Sequence, residues 1–220
     1  MALKLYYHPF ASFCQKVLTA FYENGIAFEP VVVDLGNPES RAAFAAVWPL
    51  AKFPVLRDEA RGLTIPESTT VIEYLAQNFP GTTQLVPSDP DLALQARLWD
   101  RFYDNYVELP MQKIVGDRLR PADRRDPHGV AEARALLDSA YRIIETEMAA
   151  KTWAAGEAFT LADCAAAPGL FYAELVHPFA ERHPRLGAYF ERLMARPSFA
   201  RVVEEAKPYR HFFPQEPAAG

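Results

Sequence analysis

Three side chains with reactive heteroatoms crowd the first fourteen residues: Tyr7 at the end of an alternating run, then Ser12 and Cys14 where a helical pattern opens. A cysteine in the first turn of a helix is where a thiolate is stabilised, because unpaired backbone N–H groups face it. Ser12 suits the N-cap of the same helix. A second chemical stretch runs from Trp48 to Leu75, WPLAKFPVLRDEARGLTIPESTTVIEYL. It holds Lys52, the aromatic–proline pair Phe53-Pro54, and Glu67-Ser68 just before Val71, Ile72, Tyr74 and Leu75. An aromatic residue before proline suits a cis bond, which exposes the backbone of Phe53 at a sharp turn. Taken alone, these residues describe a hairpin followed by an acid-capped helix, with Pro54 a rigid turn and Glu67-Ser68 an ordinary cap.

The elements that must position them follow from periodicity. Leu3 to Tyr7 is a short strand stopped by His8-Pro9, and Phe13, Val17, Leu18, Phe21 and Tyr22 recur at helical spacing up to the Asn24-Gly25 stop. Ile26 to Val33 reads as a second strand, with Pro30 marking an edge or bulge. Asn37-Pro38-Glu39-Ser40 starts a helix to about Val47, and the Trp48–Leu75 stretch adds two strands and a helix. Strand, helix, strand, helix, hairpin and helix predict a small mixed sheet covered by helices over residues 1–80. Residues 81–90 are rich in turn formers and read as a linker.

From residue 91 to 220 the pattern is helical throughout. A long helix carrying Leu92, Ala96, Leu98, Trp99, Phe102, Tyr103 and Tyr106 is expected to bend near Leu109-Pro110. Gly116 to Pro127 reads as a charged surface loop, and Val130–Ala150 and Thr160–Val176 as two further helices. Pro184–Ala195 and Pro197–Glu205 each begin on a proline suited to a first turn. The aromatic tail after Lys207 is expected to pack irregularly across the surface.

Composition excludes several classes. A hydrophobic share of 50%, a charged share of 23% and a net charge of −5 describe a globular protein and argue against a nucleic-acid surface. No apolar run reaches a membrane span, and MALKLYYHPF lacks the apolar core of a secretory signal. Two cysteines, Cys14 and Cys164, give neither a disulfide framework nor zinc spacing, so a reduced, cytoplasmic protein without a metal is expected.

Four short motifs in one order carry a family resemblance: KFPVL at 52–56, PES at 66–68, IEYL at 72–75 and TLAD at 160–163. Together with the element order they resemble the cytosolic glutathione transferase superfamily, over essentially the whole chain. The resemblance implies an α/β thioredoxin-like N-terminal domain, with a mixed four-stranded sheet, joined to an all-α C-terminal helical domain. It also implies glutathione as cosubstrate, a small hydrophobic electrophile as second substrate, and a homodimer across Ile65–Leu75 and Arg97–Arg101.

Glutathione is an extended anionic tripeptide whose thiol has a pKa near ~8.5, so a protein must hold both ends and favour thiolate. The resemblance assigns Lys52 to the glycyl carboxylate and the Phe53 backbone, ahead of Pro54, to the cysteinyl amide. It assigns Ser68 to the γ-glutamyl carboxylate, where helix N-terminal donors favour an anion, and Glu67 to the α-ammonium. Three residues compete for the sulfur. In serine-type members the activating serine sits five positions before a basic residue of the first helix, which is Ala11 if that residue is Lys16; a one-residue loop shift brings Ser12 there. Cys14 matches the second cysteine of a glutaredoxin-type motif, a position more often buried, and Tyr7 matches the tyrosine-type site or a core tyrosine. Phe10, Phe102, Tyr103 and Tyr106 are candidates to line the electrophile pocket, or core. Glutathione-dependent isomerisation, disulfide or peroxide reduction, and non-catalytic binding are the alternatives on this fold. Ala11 and the Trp48-Pro49 pair, where the family has asparagine before proline, keep the last one open.

Overall fold

The computed structural model describes residues 3–216. Its N-terminal part is built on four strands in the order β2-β1-β3-β4: β1 (Leu3–Tyr7), β2 (Glu29–Val32), β3 (Val55–Asp58) and β4 (Leu63–Pro66). β1 runs parallel to β2, with Tyr6 opposite Val31, and antiparallel to β3, with Leu5 opposite Leu56. β4 closes the other edge, Ile65 facing Leu56. Along β1, Leu3, Leu5 and Tyr7 are buried while Lys4 and Tyr6 are less so, the period of two that a covered sheet imposes. β2 is shorter than Ile26–Val33 because its partner β1 ends at Tyr7, and Pro30 sits on the edge, where a missing N–H is tolerated.

Helix α1 (Ser12–Glu23) follows β1, α2 (Pro38–Val47) follows β2 and α3 (Ser68–Asn78) follows the hairpin. Asn37 caps α2 by accepting the N–H groups of Glu39 and Ser40 at 2.9 and 3.0 Å. Residues 81–89 form no helix or strand, yet they are pinned at both ends. The Asn24 amide bonds Thr83 twice, and the Leu85 carbonyl accepts the N–H of Leu161 at 2.8 Å. A Cβ on Gly81 would run into the Asn24 side chain, so only glycine permits this approach.

The helical part contains α4 (Pro90–Tyr103), α5 (Leu109–Arg118), α6 (Pro127–Glu147), α7 (Leu161–Val176), α8 (Pro184–Ala195) and α9 (Pro197–Ala206). Directly ahead of Leu109-Pro110, where a bend is expected, a π-helical segment, Asp104–Glu108, joins α4 to α5. Pro110 has no N–H and its ring crowds the carbonyl four residues back, and the widened turn ahead of it makes room. α5 therefore continues into the stretch expected as a charged loop, taking Gly116, Asp117 and Arg118. Asp126 caps α6, which starts at Pro127, three residues earlier than expected. Thr160 and Asp163 form a reciprocal capping box on α7, and Asp163 also accepts the Ala154 N–H and the Tyr189 hydroxyl. One apolar core runs through both parts because α1 packs against α3 and also against α7 and α9.

Candidate functional site

Two clefts open where the sheet part meets α4, the π segment and α5, and they share Phe13, Lys52 and Phe53. The first, ≈ 430 Å³, is apolar, walled by Phe10, Met111, Val115, Tyr172 and Phe213, with Ser12 and Gln112 as its polar groups. The second, ≈ 510 Å³, gathers Lys52, Phe53, Pro54, Glu67 and Ser68 from the N-terminal part and Arg101, Asp104 and Asn105 from the helical part. All five residues of the Trp48–Leu75 stretch singled out from sequence therefore lie on one wall. The Phe53-Pro54 bond is cis. Glu67 has φ 68°, a left-handed conformation a non-glycine side chain adopts at a cost of about 1 kcal/mol, and Ala51 has φ 48°. Both strained residues border the clefts. Ser68 is buried at the first turn of α3, and its N-cap Glu67 makes no side-chain cap, so the helix N-terminus is left to a ligand or water.

The loop after β1 is fixed from below. Gln15 donates to the Pro9 carbonyl and to the Tyr172 hydroxyl, each at 3.0 Å, and Tyr172 donates to the Phe10 carbonyl at 2.9 Å. Ser12 does not cap α1; Ala11 is the N-cap, without a side-chain bond. The hydroxyl of Ser12 turns instead to the helical part and donates to the carboxylate of Glu108. Gln112 donates to the same carboxylate oxygen at 2.8 Å and stands 3.4 Å from the Ser12 hydroxyl. Burial raises the Glu108 pKa to about 7, against the hydrogen bonds from Ser12 and Gln112.

The other two candidates for the sulfur are corrected. Cys14 is fully buried, borders neither cleft, and burial drives its thiol far above the ordinary range. Two residues along a helix turn a side chain roughly 200° away, so Ser12 at the cleft puts Cys14 in the core. Tyr7 points inward from β1, edge-on against Phe28 at 6.4 Å, and its phenol is raised first by burial and then by Glu205. It borders a separate groove with Tyr22 and Tyr209.

The pocket aromatics are corrected in the same way, Phe10 excepted. Tyr103 is fully buried in the core, Phe102 packs against Trp99 and Tyr103, and Tyr106 is exposed on the far side of Phe102. None of the three borders either cleft. Because the helix runs on through the π segment, the face presented to the first cleft is Met111, Gln112 and Val115, one to three turns later. Phe212, Phe213 and Pro214 from the tail line the same cleft, and Phe213 stacks on Tyr172 at 5.9 Å. Among the described residues no group of three or more His, Cys, Asp or Glu is arranged to hold a metal ion, and no helix is long and apolar enough to cross a membrane.

Residues 5–83 match the family model described as glutathione S-transferase, N-terminal domain, and residues 102–197 the one described as glutathione S-transferase, C-terminal domain. A glutathione S-transferase-like protein, LUC7, of Fusarium sp is 33% identical over 72% of this chain and 71% of its own length. Glutathione S-transferase 3 of Zea mays is 30% identical over 91% of this chain and 93% of its own. The chain belongs to the glutathione S-transferase superfamily. Among solved structures, a glutathione S-transferase of Methylobacillus flagellatus KT with glutathione bound superposes with a TM-score of 0.83 at 27% identity, over 91% of this chain and 98% of the other. One from Methylobacterium radiotolerans in complex with glutathione sulfonate gives 0.80 at 29% identity, over 92% and 95%. The thioredoxin-like sheet and the all-helical second part are thus the fold of this family.

The loop after β1 and the Trp48–Leu75 stretch, both singled out from sequence, supply one wall of the clefts. Sequence reasoning missed the opposite wall. Glu108, Gln112, Met111 and Val115 sit in a helix whose pattern is dominated by its core face, and nothing in that pattern marks the residues facing a cleft. The one available signal was the pair Glu108 and Gln112, polar residues four apart on either side of Pro110.

Proposed function

We propose that the protein is a glutathione transferase that binds glutathione in the second cleft and conjugates its thiolate to a small hydrophobic electrophile held in the first. The observation that carries this reading is the adjacency of the two clefts across Phe13, Lys52 and Phe53, with the Ser12 hydroxyl beside that seam. Lys52 would pair with the glycyl carboxylate, the Phe53 backbone with the cysteinyl amide, and the free N-terminus of α3 at Ser68 with the γ-glutamyl carboxylate. Glu67 would accept the α-ammonium. The mixture of Lys52 and Arg101 with Glu67 and Asp104 suits a ligand bearing both signs of charge. Ser12 is the residue assigned to the sulfur, as a hydroxyl donor that lowers the thiol pKa. The bound glutathione and glutathione sulfonate of the two bacterial neighbours support the choice of ligand.

Redox chemistry through Cys14 is disfavoured, because a fully buried thiol cannot meet a disulfide without the helix moving. The two free, buried cysteines support a reducing, cytoplasmic setting. A homodimer is part of the reading: Leu94 and Leu98 lie exposed one turn apart on α4, beside Arg97 and its partner Glu73 on α3.

The test is to follow the ultraviolet absorbance of the thiolate while glutathione bound to the protein is titrated with base. The bound thiol should ionise at least about one pH unit below free glutathione. If it titrates no lower, the protein is a binder and not a transferase.

A further inference from the structure

Resting on the transferase reading, the buried acid behind Ser12 has a role that the serine alone does not supply. Glu108 is 3% exposed and does not border either cleft; Ser12 and Gln112 stand between it and the first one. Its carboxylate accepts from both, so the hydroxyl that faces the cleft is already joined to a proton acceptor. Among the described residues no direct ion pair neutralises that acceptor. Lys16, one turn along α1, is the buried cation on this side, but its ammonium is held by Asp100 at 2.7 Å and Asp104 at 2.8 Å. From α7, Gly169 stands opposite the second carboxylate oxygen, where a Cβ would lie 3.7 Å from it, and the hydroxyl of Tyr172 is committed to the Phe10 carbonyl. On its own side of the cleft Gln112 hydrogen-bonds to it. The residue ends the π segment, the kind of widened turn that recurs at working sites.

We propose that Glu108 is the positioning residue that accepts the glutathione proton through Ser12. With the site empty the carboxylate holds the serine hydroxyl as its donor. When the thiol arrives, the S–H bond breaks and its proton passes to the Ser12 oxygen as the serine proton passes to Glu108. Serine is regenerated, one O–H bond forms on the carboxyl group, and the negative charge moves from carboxylate to sulfur. Glu108, now an acid, donates to Ser12, and Ser12 donates to the thiolate, so each hydrogen bond in the row favours the ionised sulfur. When the sulfur lone pair forms the bond to carbon, the leaving group departs with its electron pair and Glu108 returns the proton to it or to water. A carboxyl whose burial lifts its pKa to about 7 is matched to this exchange near neutrality. A carboxylate at its ordinary pKa would be too weak a base.

Two measurements test it. Glu108→Gln keeps the shape and the hydrogen-bond acceptor but takes no proton. It should bind glutathione within about threefold of the parent, lose roughly ten- to a hundredfold in kcat/KM near neutral pH, and recover as the pH is raised toward the pKa of the free thiol. A merely structural role would lower activity equally at every pH. The second measurement uses the unaltered protein, so it stands even if the variant misfolds. Glutathione is added in a lightly buffered solution near neutral pH, with thiolate absorbance and proton release followed together. Thiolate should form without a matching release of protons. Thiolate formed with stoichiometric release, or a pH profile of the Glu108→Gln variant unchanged from the parent's, overturns the proposal while leaving the transferase reading intact. Absence of glutathione binding to the unaltered protein would instead sink both.

Discussion

Ser12 and Cys14 are two residues apart, carry similar nucleophilic atoms, and have opposite fates. One faces a cleft and the other is sealed in the core, because a helix rotates each successive side chain by about 100°. Replacing Ser12 with Ala should leave glutathione binding within a few-fold, since its other contacts remain, and lower kcat/KM by about a hundredfold, measured with any aryl or alkyl halide accepted as substrate. Cys14→Ala should alter stability only. Glu108 also has a signature in stability. Its folded pKa of about 7 lies above the ordinary value of 4.5, so the native state binds a proton more tightly than the unfolded chain does. That contribution is fully present below about pH 4.5 and is lost as pH rises through 7. Glu108→Gln, which cannot ionise, should therefore gain on the parent by on the order of 3 kcal/mol between these limits, read from urea midpoints across pH.

At the scale of elements, α1 and the π segment meet through two pairs with the same spacing. Ser12 and Lys16 are four apart on α1, and Glu108 and Asp104, their partners, are four apart on the π segment. Lys16 also reaches Asp100 and the Thr69 hydroxyl, so one buried ammonium ties the first helix to α3 and α4. Lys16→Met leaves Asp100 and Asp104 buried with only Arg101 as a cationic partner, and should cost about 3 kcal/mol in denaturant titrations. A second tie lies at the start of α7, where Asp163 satisfies the N–H groups of Thr160 and Ala154 and the hydroxyl of Tyr189. Asp163→Ala takes the acceptor from these three donors and from the Thr160 hydroxyl, so a loss of about 3 kcal/mol or more is expected from thermal unfolding.

For the molecule as a whole, the two parts behave as one packed body, because the apolar core passes through α1 from the sheet to α7 and α9. Calorimetric unfolding should show one transition, with calorimetric and van't Hoff enthalpies equal; two resolved transitions would contradict a shared core. The exposed leucines of α4 belong to the next level of assembly. Changing Leu94 and Leu98 to Glu should convert the proposed dimer to a monomer by light scattering. The cleft walls should stay intact in that variant, because neither leucine borders a cleft.

Much was fixed by local chemistry. Alternation in Leu3–Tyr7, proline at the starts of α2, α8 and α9, the Thr160–Asp163 cap and the Lys52–Ser68 motifs are decided by residues close in sequence, and sequence alone located all of them. What only tertiary structure decided is the side of the cleft made by residues 104–115 and by the tail. Phe102 and Tyr103, at the end of α4, pack into the core with Trp99, and a widened turn before Pro110 re-aims the side chains after it, so Met111, Gln112 and Val115 form the cleft wall. The same turn set Glu108 against Ser12, 96 positions earlier in the chain. No periodicity encodes such a pairing. It arises from how two helices settle against each other, and with it comes the low-dielectric setting that gives the carboxyl group its raised pKa.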